Sequence, residues 1–328
     1  MKYLFLSAIL FFSLQAFAQD CSKELLAQKP GTWKAGPQGS IQNITATDLA
    51  KEKTVITAIH KMVNSNYSPK GCQVNYSTVY GKYLNAGELW LADPYHYAMY
   101  ILRYKCDANS KDKSKYYVDA STPTTINITA NVIFCLNNLY AANIPAADFR
   151  GYLKLKNRPQ KKDGAWFMGE EIVGDYGTAN EIKEYRWLIT YDDELPFYYV
   201  SRKEYLLIQK KRLEKAIKES PSEKVYNEKF LKNISDYLTR SETELSKPAI
   251  CMWNEEERFE KFVEEGSRGS FIAVKPNLAY YKKNLSKSSP QFFSVVYKIA
   301  AGDTVFKENM EAIKKAVDFA TLKNMLGK

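Results

Sequence analysis

"DELPFYYVSRKEYLL", residues 193–207, is the stretch on which the fold of this chain turns. Pro196 has no backbone N–H to give a sheet, so an upstream strand is expected to end near it. Ser201 is followed three positions later by Glu204, which is a capping box, and Val200 and Tyr205 flank it at the spacing of a hydrophobic staple. Extended structure should therefore give way to helix close to residue 200. Phe197, Tyr198 and Tyr199 alone have no assigned part in the junction.

Upstream, "TATDLAKEKTVITAIHKMV" (45–63) predicts a helix capped by Thr45 or Thr47, with Leu49, Ile56, Ile59 and Val63 on its buried face. From about residue 72 to 199 the hydrophobic period drops to two. "YHYAMYILRYKC" (95–106), "TTINITANVIF" (124–134) and "YRWLITY" (185–191) read as strands separated by the polar turns "DANSKDKSK" and "NRPQKKDG". An antiparallel meander packed on the preceding helix is expected.

Downstream, "SPSE" (220–223) places Pro221 at a helix start and divides the helical tract in two. Tyr226, Phe230, Ile234 and Tyr237 form the apolar stripe of the second helix. Asn254 is placed to cap a further helix carrying Phe259, Phe262 and Val263. "SFIAVK" and "FFSVVYKI" read as strands, and "FKENMEAIKKAVDFATLKNML" as one or two closing helices. The expected architecture is α+β: an N-terminal helix on an antiparallel β-meander (19–199), followed by a helix-rich C-terminal portion (200–328) packed on the first.

The first residues predict the compartment. Lys2, an apolar run from Tyr3 to Leu14 and the small-x-small Ala16-Phe17-Ala18 have the form of a signal peptide over residues 1–18, cleaved after Ala18. The apolar run falls short of the roughly 20 residues of a spanning helix, and no transmembrane segment is expected in the mature chain. A secreted or periplasmic location follows. The net charge of +10 suggests attraction to anionic glycans, lipopolysaccharide or a membrane surface outside a cell, and the 24 Tyr, against two His, suit half-exposed sheet faces and binding surfaces alike. No RNP motif, zinc-finger spacing or Arg-rich arm points to nucleic acid.

Cys21, Cys72, Cys106, Cys135 and Cys251 permit two disulfides and one thiol in an oxidising compartment. Cys106 with Cys135 is the favoured bridge, because they end two strands expected in one antiparallel sheet. None of HExxH, GxSxG, a Walker A loop or GxGxxG occurs, so no cofactor and no metal are expected. "GAWFMGEEIVGDYG" (164–177) brings Glu170, Glu171 and Asp175 close in sequence, but without the ligand spacing of a calcium loop it reads as a polar hairpin. His60 shares a face with Ile56 and Val63 and is expected as a hydrogen-bonded residue at the core edge.

One stretch mixes aromatics with titratable groups: "GELWLADPYHY" (87–97). Trp90, Tyr95 and Tyr97 are the candidate binding rings. Glu88, Asp93 and His96 are the only candidate catalytic groups, in the manner of carboxylates flanking a glycosidic bond. A turn at Asp93-Pro94 and a solvated Glu88 explain the same residues without catalysis, so no catalytic residue is assigned. The expected function is a non-catalytic binding or interaction protein with a Tyr/Trp-rich surface for a glycan, peptide or protein partner. The alternative is a glycan-directed hydrolase using paired carboxylates.

"DELPFYYVSRKEYLL", "SSPQFFSVVYKI" (288–299) and "VDFATLKNMLGK" (317–328) carry a resemblance. They resemble segments of an uncharacterised family of secreted and envelope proteins of Bacteroidetes, with a Val-Ser/Thr-Arg-Lys-Glu-Tyr-Leu junction and a Phe-x-x-Leu-Lys-x-x-Leu ending. The resemblance covers mainly the C-terminal half. It implies a Gram-negative envelope or secreted location and no particular activity.

Overall fold

Hydroxyl caps start the first two helices of the computed structural model, which describes residues 20–81, 92–121, 124–132, 152–253 and 258–328. The expected signal peptide (1–18), Glu88, Trp90, Cys135 and Asn254, the expected cap, lie outside these residues. Ser22 caps α1 (Lys23–Gln28) and Thr45 caps α2 (Ala46–Asn66), with β1 (Thr32–Gln42) between them. Then come β2 (Cys72–Gly81), β3 (Tyr95–Cys106), β4 (Tyr116–Val118), β5 (Thr125–Ala130), β6 (Leu153–Leu155) and β7 (Gln160–Lys162). The hairpin of β8 (Ala165–Gly174) and β9 (Ile182–Ile189) follows, then β10 (Phe197–Tyr199), α3 (Arg202–Glu219), α4 (Lys224–Tyr237) and α5 (Glu242–Leu245). The chain closes with β11 (Ile250–Met252), β12 (Ser270–Pro276), β13 (Phe293–Ala300), α6 (Thr304–Ala316) and α7 (Phe319–Asn324).

Nine strands form one sheet in the order β1-β2-β3-β5-β13-β9-β8-β7, with β4 added on β3. All pairs are antiparallel except β1 with β2, which are joined through α2. A second sheet has β12 at its centre, β6 on one edge, and β10 and β11 along the other.

This corrects the expected architecture. The C-terminal part is not a helix-rich addition, because β13 sits between β5 and β9 in the large sheet and β12 organises the small one. The physical reason is visible in "FFSVVYKI". Phe293, Val295, Tyr297 and Ile299 are buried on one face, and Ser294 and Val296 on the other, as a central strand requires. Nor is the sheet a meander, since β5 and β9 meet only through β13.

Alternation assigns the layers. Tyr95, Tyr97, Met99 and Ile101 of β3 pack with Val55, Ile56, Ile59 and Val63 of α2 and with Phe306, Met310 and Ile313 of α6. On the opposite face, Met168 of β8 and Leu188 of β9 join Leu153, Leu155, Ile272 and Val274 of the small sheet. The far side of β12, Phe271 and Ala273, carries α3 and α4 through Tyr205, Leu213, Phe230 and Ile234. The order of layers at this end is helix, sheet, sheet, helix.

The junction around residue 200 keeps part of its expected form. Ser201 Oγ accepts the Glu204 N–H at 3.1 Å, and Val200 and Tyr205 are fully buried. The Glu204 carboxylate, however, turns to Lys275 Nζ (2.8 Å) and the Tyr198 hydroxyl (3.1 Å). Phe197–Tyr199 gain the role they lacked, forming β10 beside Val274–Pro276 of β12 immediately after Pro196. The break at Ser220 is a single 3₁₀ turn, Pro221–Glu223, which folds α4 back on α3. Phe259 and Phe262 are buried as expected, but their backbone is irregular and not helical.

Cys106 is bonded to Cys21, not to Cys135. The end of β3 runs beside the approach to α1, where the two Cα atoms are 5.7 Å apart, inside the range a disulfide needs. Cys72 and Cys251 remain as buried thiols. Among the described residues no helix is long and apolar enough to cross a membrane.

Candidate functional site

The stretch 87–97 does not supply an exposed ring surface from its described residues. Tyr95 and Tyr97 point from β3 toward α2 and are 1% and 0% exposed, so they are core residues. The Tyr97 hydroxyl is 2.8 Å from His60 Nδ1, which places His60 at the core edge as expected. His96 faces the other side of the sheet, where burial lowers its pKa and favours the neutral imidazole. Asp93 is buried, its N–H donating to the Lys287 carbonyl at 2.7 Å and its carbonyl accepting from Asn131 Nδ2 at 2.8 Å.

An aromatic groove lies instead between the β8–β9 hairpin and the α6–α7 turn, enclosing about 730 Å³. That volume falls within the range of small-ligand sites, about 300–1,000 Å³. Phe167 and Trp187 are cross-strand partners, with ring centroids 4.9 Å apart. Two residues back on β9, Tyr185 lies beside Tyr297 of β13. Asp318 ends the connection from α6 by accepting the Ala320 and Thr321 N–H groups at 3.1 Å, which sets Phe319 at the first position of α7. Phe319 thereby reaches Trp187 at 5.3 Å between centroids. Phe167, Trp187 and Phe319 are half-buried, so the row of rings is held in place while keeping surface open.

The rim is polar and mixed in sign. Lys162, Lys314 and Lys315 are matched by Asp163, Glu170 and Asp318. Lys162 Nζ lies 5.7 Å from the Phe167 centroid, and Lys314 Nζ lies 4.7 Å from that of Tyr185 while bonding Glu311 at 2.8 Å. Hydrogen bonds from the Thr321 hydroxyl, then from the α7 amides, hold the Asp318 carboxyl below its usual range. Burial, with Glu170 and Glu311 nearby, raises the Tyr185 pKa and keeps its hydroxyl a donor. The outer end is braced by Asp193, the first residue of the junction stretch, which pairs with Lys161 of β7 and with Lys323 of α7. Glu171 lies on the other side of β8, paired with Lys156 and Arg186. Among the described residues no group of three or more His, Cys, Asp or Glu is arranged to hold a metal.

Alternation in "YRWLITY" puts Tyr185 and Trp187 on one face of β9, but nothing in the local sequence indicates that Phe319 completes the row. The three segments are joined only by the strand order, which local pattern does not encode. A second residue was missed. Leu49, Glu52, Ile56, Ile59 and Val63 follow one helical stripe, and Glu52 is a fully buried carboxylate within it. Its Oε2 accepts the Gly81 N–H at 2.8 Å and its Oε1 the Ser288 hydroxyl at 2.9 Å. Burial lifts its pKa to about 7, and the Asp93 and Asp48 charges add to the rise.

Comparison of the chain with protein-family models, with curated proteins and with solved structures returns no match.

Proposed function

We propose that this is a secreted or periplasmic binding protein that holds an oligosaccharide in the groove between β8–β9 and α6–α7. The observation that carries this reading is the half-buried row Phe167–Trp187–Phe319. Sugar rings present flat C–H faces that stack on aromatic rings, while their hydroxyls need donors and acceptors together. A rim of three lysines and three carboxylates suits that mixed demand better than it suits a polyanion or a purely apolar partner. The Cys21–Cys106 disulfide and the leader-like first residues support the location. Asp318 is occupied as a helix cap, so the groove carboxylates are read as hydrogen-bonding groups, not as an acid–base pair.

Screening on an array of bacterial-envelope and host oligosaccharides, followed by calorimetry, tests the reading. Trp187→Ala is expected to weaken the selected glycan about 30-fold, the loss of a central aromatic anchor. Trp187→Phe should retain most of the affinity. Wild-type affinity in Trp187→Ala, or selection of peptides with no glycan bound, overturns it.

A further inference from the structure

We infer a second ligand site, for a free medium-chain carboxylate, in the cavity beneath α1. This cavity encloses about 450 Å³ and shares no residue with the aromatic groove. Leu26 and Ala27 of α1, Tyr104 of β3, Tyr117 of β4 and Val305 of α6 give it an apolar lining. The Cys21–Cys106 bond fixes the start of α1 over the end of β3 and so maintains the space.

Its charges select the head group. Lys23, Arg103 and Lys105 are the cations of its lining, Lys23 and Lys105 exposed and Arg103 half-buried. Arg103 reaches Asp303 through Nη1 and Asp119 through Nε at 3.4 Å, and Lys105 reaches Asp119 at 3.2 Å. Asp303 is further engaged by the Phe306 N–H at 3.2 Å as the cap of α6. Lys23 has no carboxylate partner among the described residues. Among the lining cations and the carboxylates that pair with them, three positive charges meet two negative ones, which leaves exposed Lys23 as the unmatched charge beside an apolar lining. A single negative charge on a single chain matches both features: the carboxylate at Lys23, the tail against Leu26 and Val305. A polyanion would find one unmatched charge, and a neutral sugar would find few hydroxyl partners inside.

Calorimetric titration of the purified protein with octanoate, decanoate and dodecanoate tests the site, with decanol as the uncharged control. Affinity should tighten about fourfold for each added methylene until the cavity is full, and decanol should bind at least about tenfold more weakly than decanoate. Ala108→Trp, at an exposed position of the lining, should abolish binding. Lys23→Glu should weaken decanoate about tenfold and leave decanol unchanged. Circular dichroism of both variants checks that the fold is kept. Affinity independent of chain length, unchanged binding in Ala108→Trp, or binding to phosphatidylglycerol vesicles without binding of free decanoate overturns the proposal.

Discussion

A chain cut after Tyr199 is expected not to fold. The cut leaves β5 and β9 of the large sheet without the strand that joins them. β13 is in register with β5 from Phe293 opposite Ala130 to Lys298 opposite Thr125, and with β9 from Phe293 opposite Ile189 to Ala300 opposite Ile182. Two long, apolar, unpaired edges would be exposed in its place, an arrangement that aggregates sooner than it folds. The core would also lose Phe306, Met310 and Ile313 from over β3. Within the full chain, Phe293→Ala alone should cost about 3–5 kcal/mol, as expected for truncating a fully buried aromatic. Denaturant unfolding followed by near-UV circular dichroism measures both. A cooperative transition in the truncated chain, or a loss under about 1 kcal/mol in Phe293→Ala, would contradict the central position of β13.

The second large effect is a dependence of stability on pH through Glu52. In the unfolded chain its carboxyl titrates near 4.5, and in the folded protein near 7, because burial disfavours the charged form. The folded state therefore holds this proton more tightly. The stabilisation is complete below pH 4.5 and is lost as pH rises through 7, a change of about 3 kcal/mol from this group. His60 and His96 act in the opposite sense, since burial lowers their pKa values and makes the neutral, higher-pH form the better folded one. Carboxyls held low, such as Asp119 at about 2, change stability only in more acid solution.

Comparison with Glu52→Gln isolates the Glu52 contribution. The amide carbonyl can still accept the Gly81 N–H and the amide nitrogen can donate to Ser288 Oγ, while the titrating charge is gone. The variant should gain up to about 3 kcal/mol relative to wild type between pH 5 and pH 8. A difference between the two proteins that stays constant over that range would contradict the account. Glu52 also has a structural part: with Asp48 bonded to Ser286 and Lys51 to Ser289, its bond to Ser288 is one of three by which α2 grips the turn that leads into β13.

Much of the fold was legible residue by residue. The Thr45 cap, the Ser201 cap with its Val200–Tyr205 staple, the Pro221 break and the alternation in β5, β9 and β13 all lie where local pattern placed them. Strand order was not legible, because the choice of β13 as the partner of both β5 and β9 depends on long-range packing that period-two alternation does not specify. The same limit explains the cysteines: Cys106 does end a strand, but the group it meets is the approach to α1. For the candidate site, composition indicated an aromatic surface and "YRWLITY" supplied half of it. Clustering of Trp and Tyr along the chain drew attention to Tyr95 and Tyr97, whose alternation sends them into the core. Rings far apart in sequence, Phe167, Trp187 and Phe319, are the ones the topology assembles.

A crystal structure of the protein with the tightest-binding oligosaccharide of the array tests the groove most directly. The account predicts a sugar ring with its C–H face within about 4 Å of Trp187, a second contact to Phe319, and hydroxyls bonded to Lys162, Glu170 or Lys315. An oligosaccharide bound elsewhere on the surface, with Phe167, Trp187 and Phe319 uncovered, would contradict it.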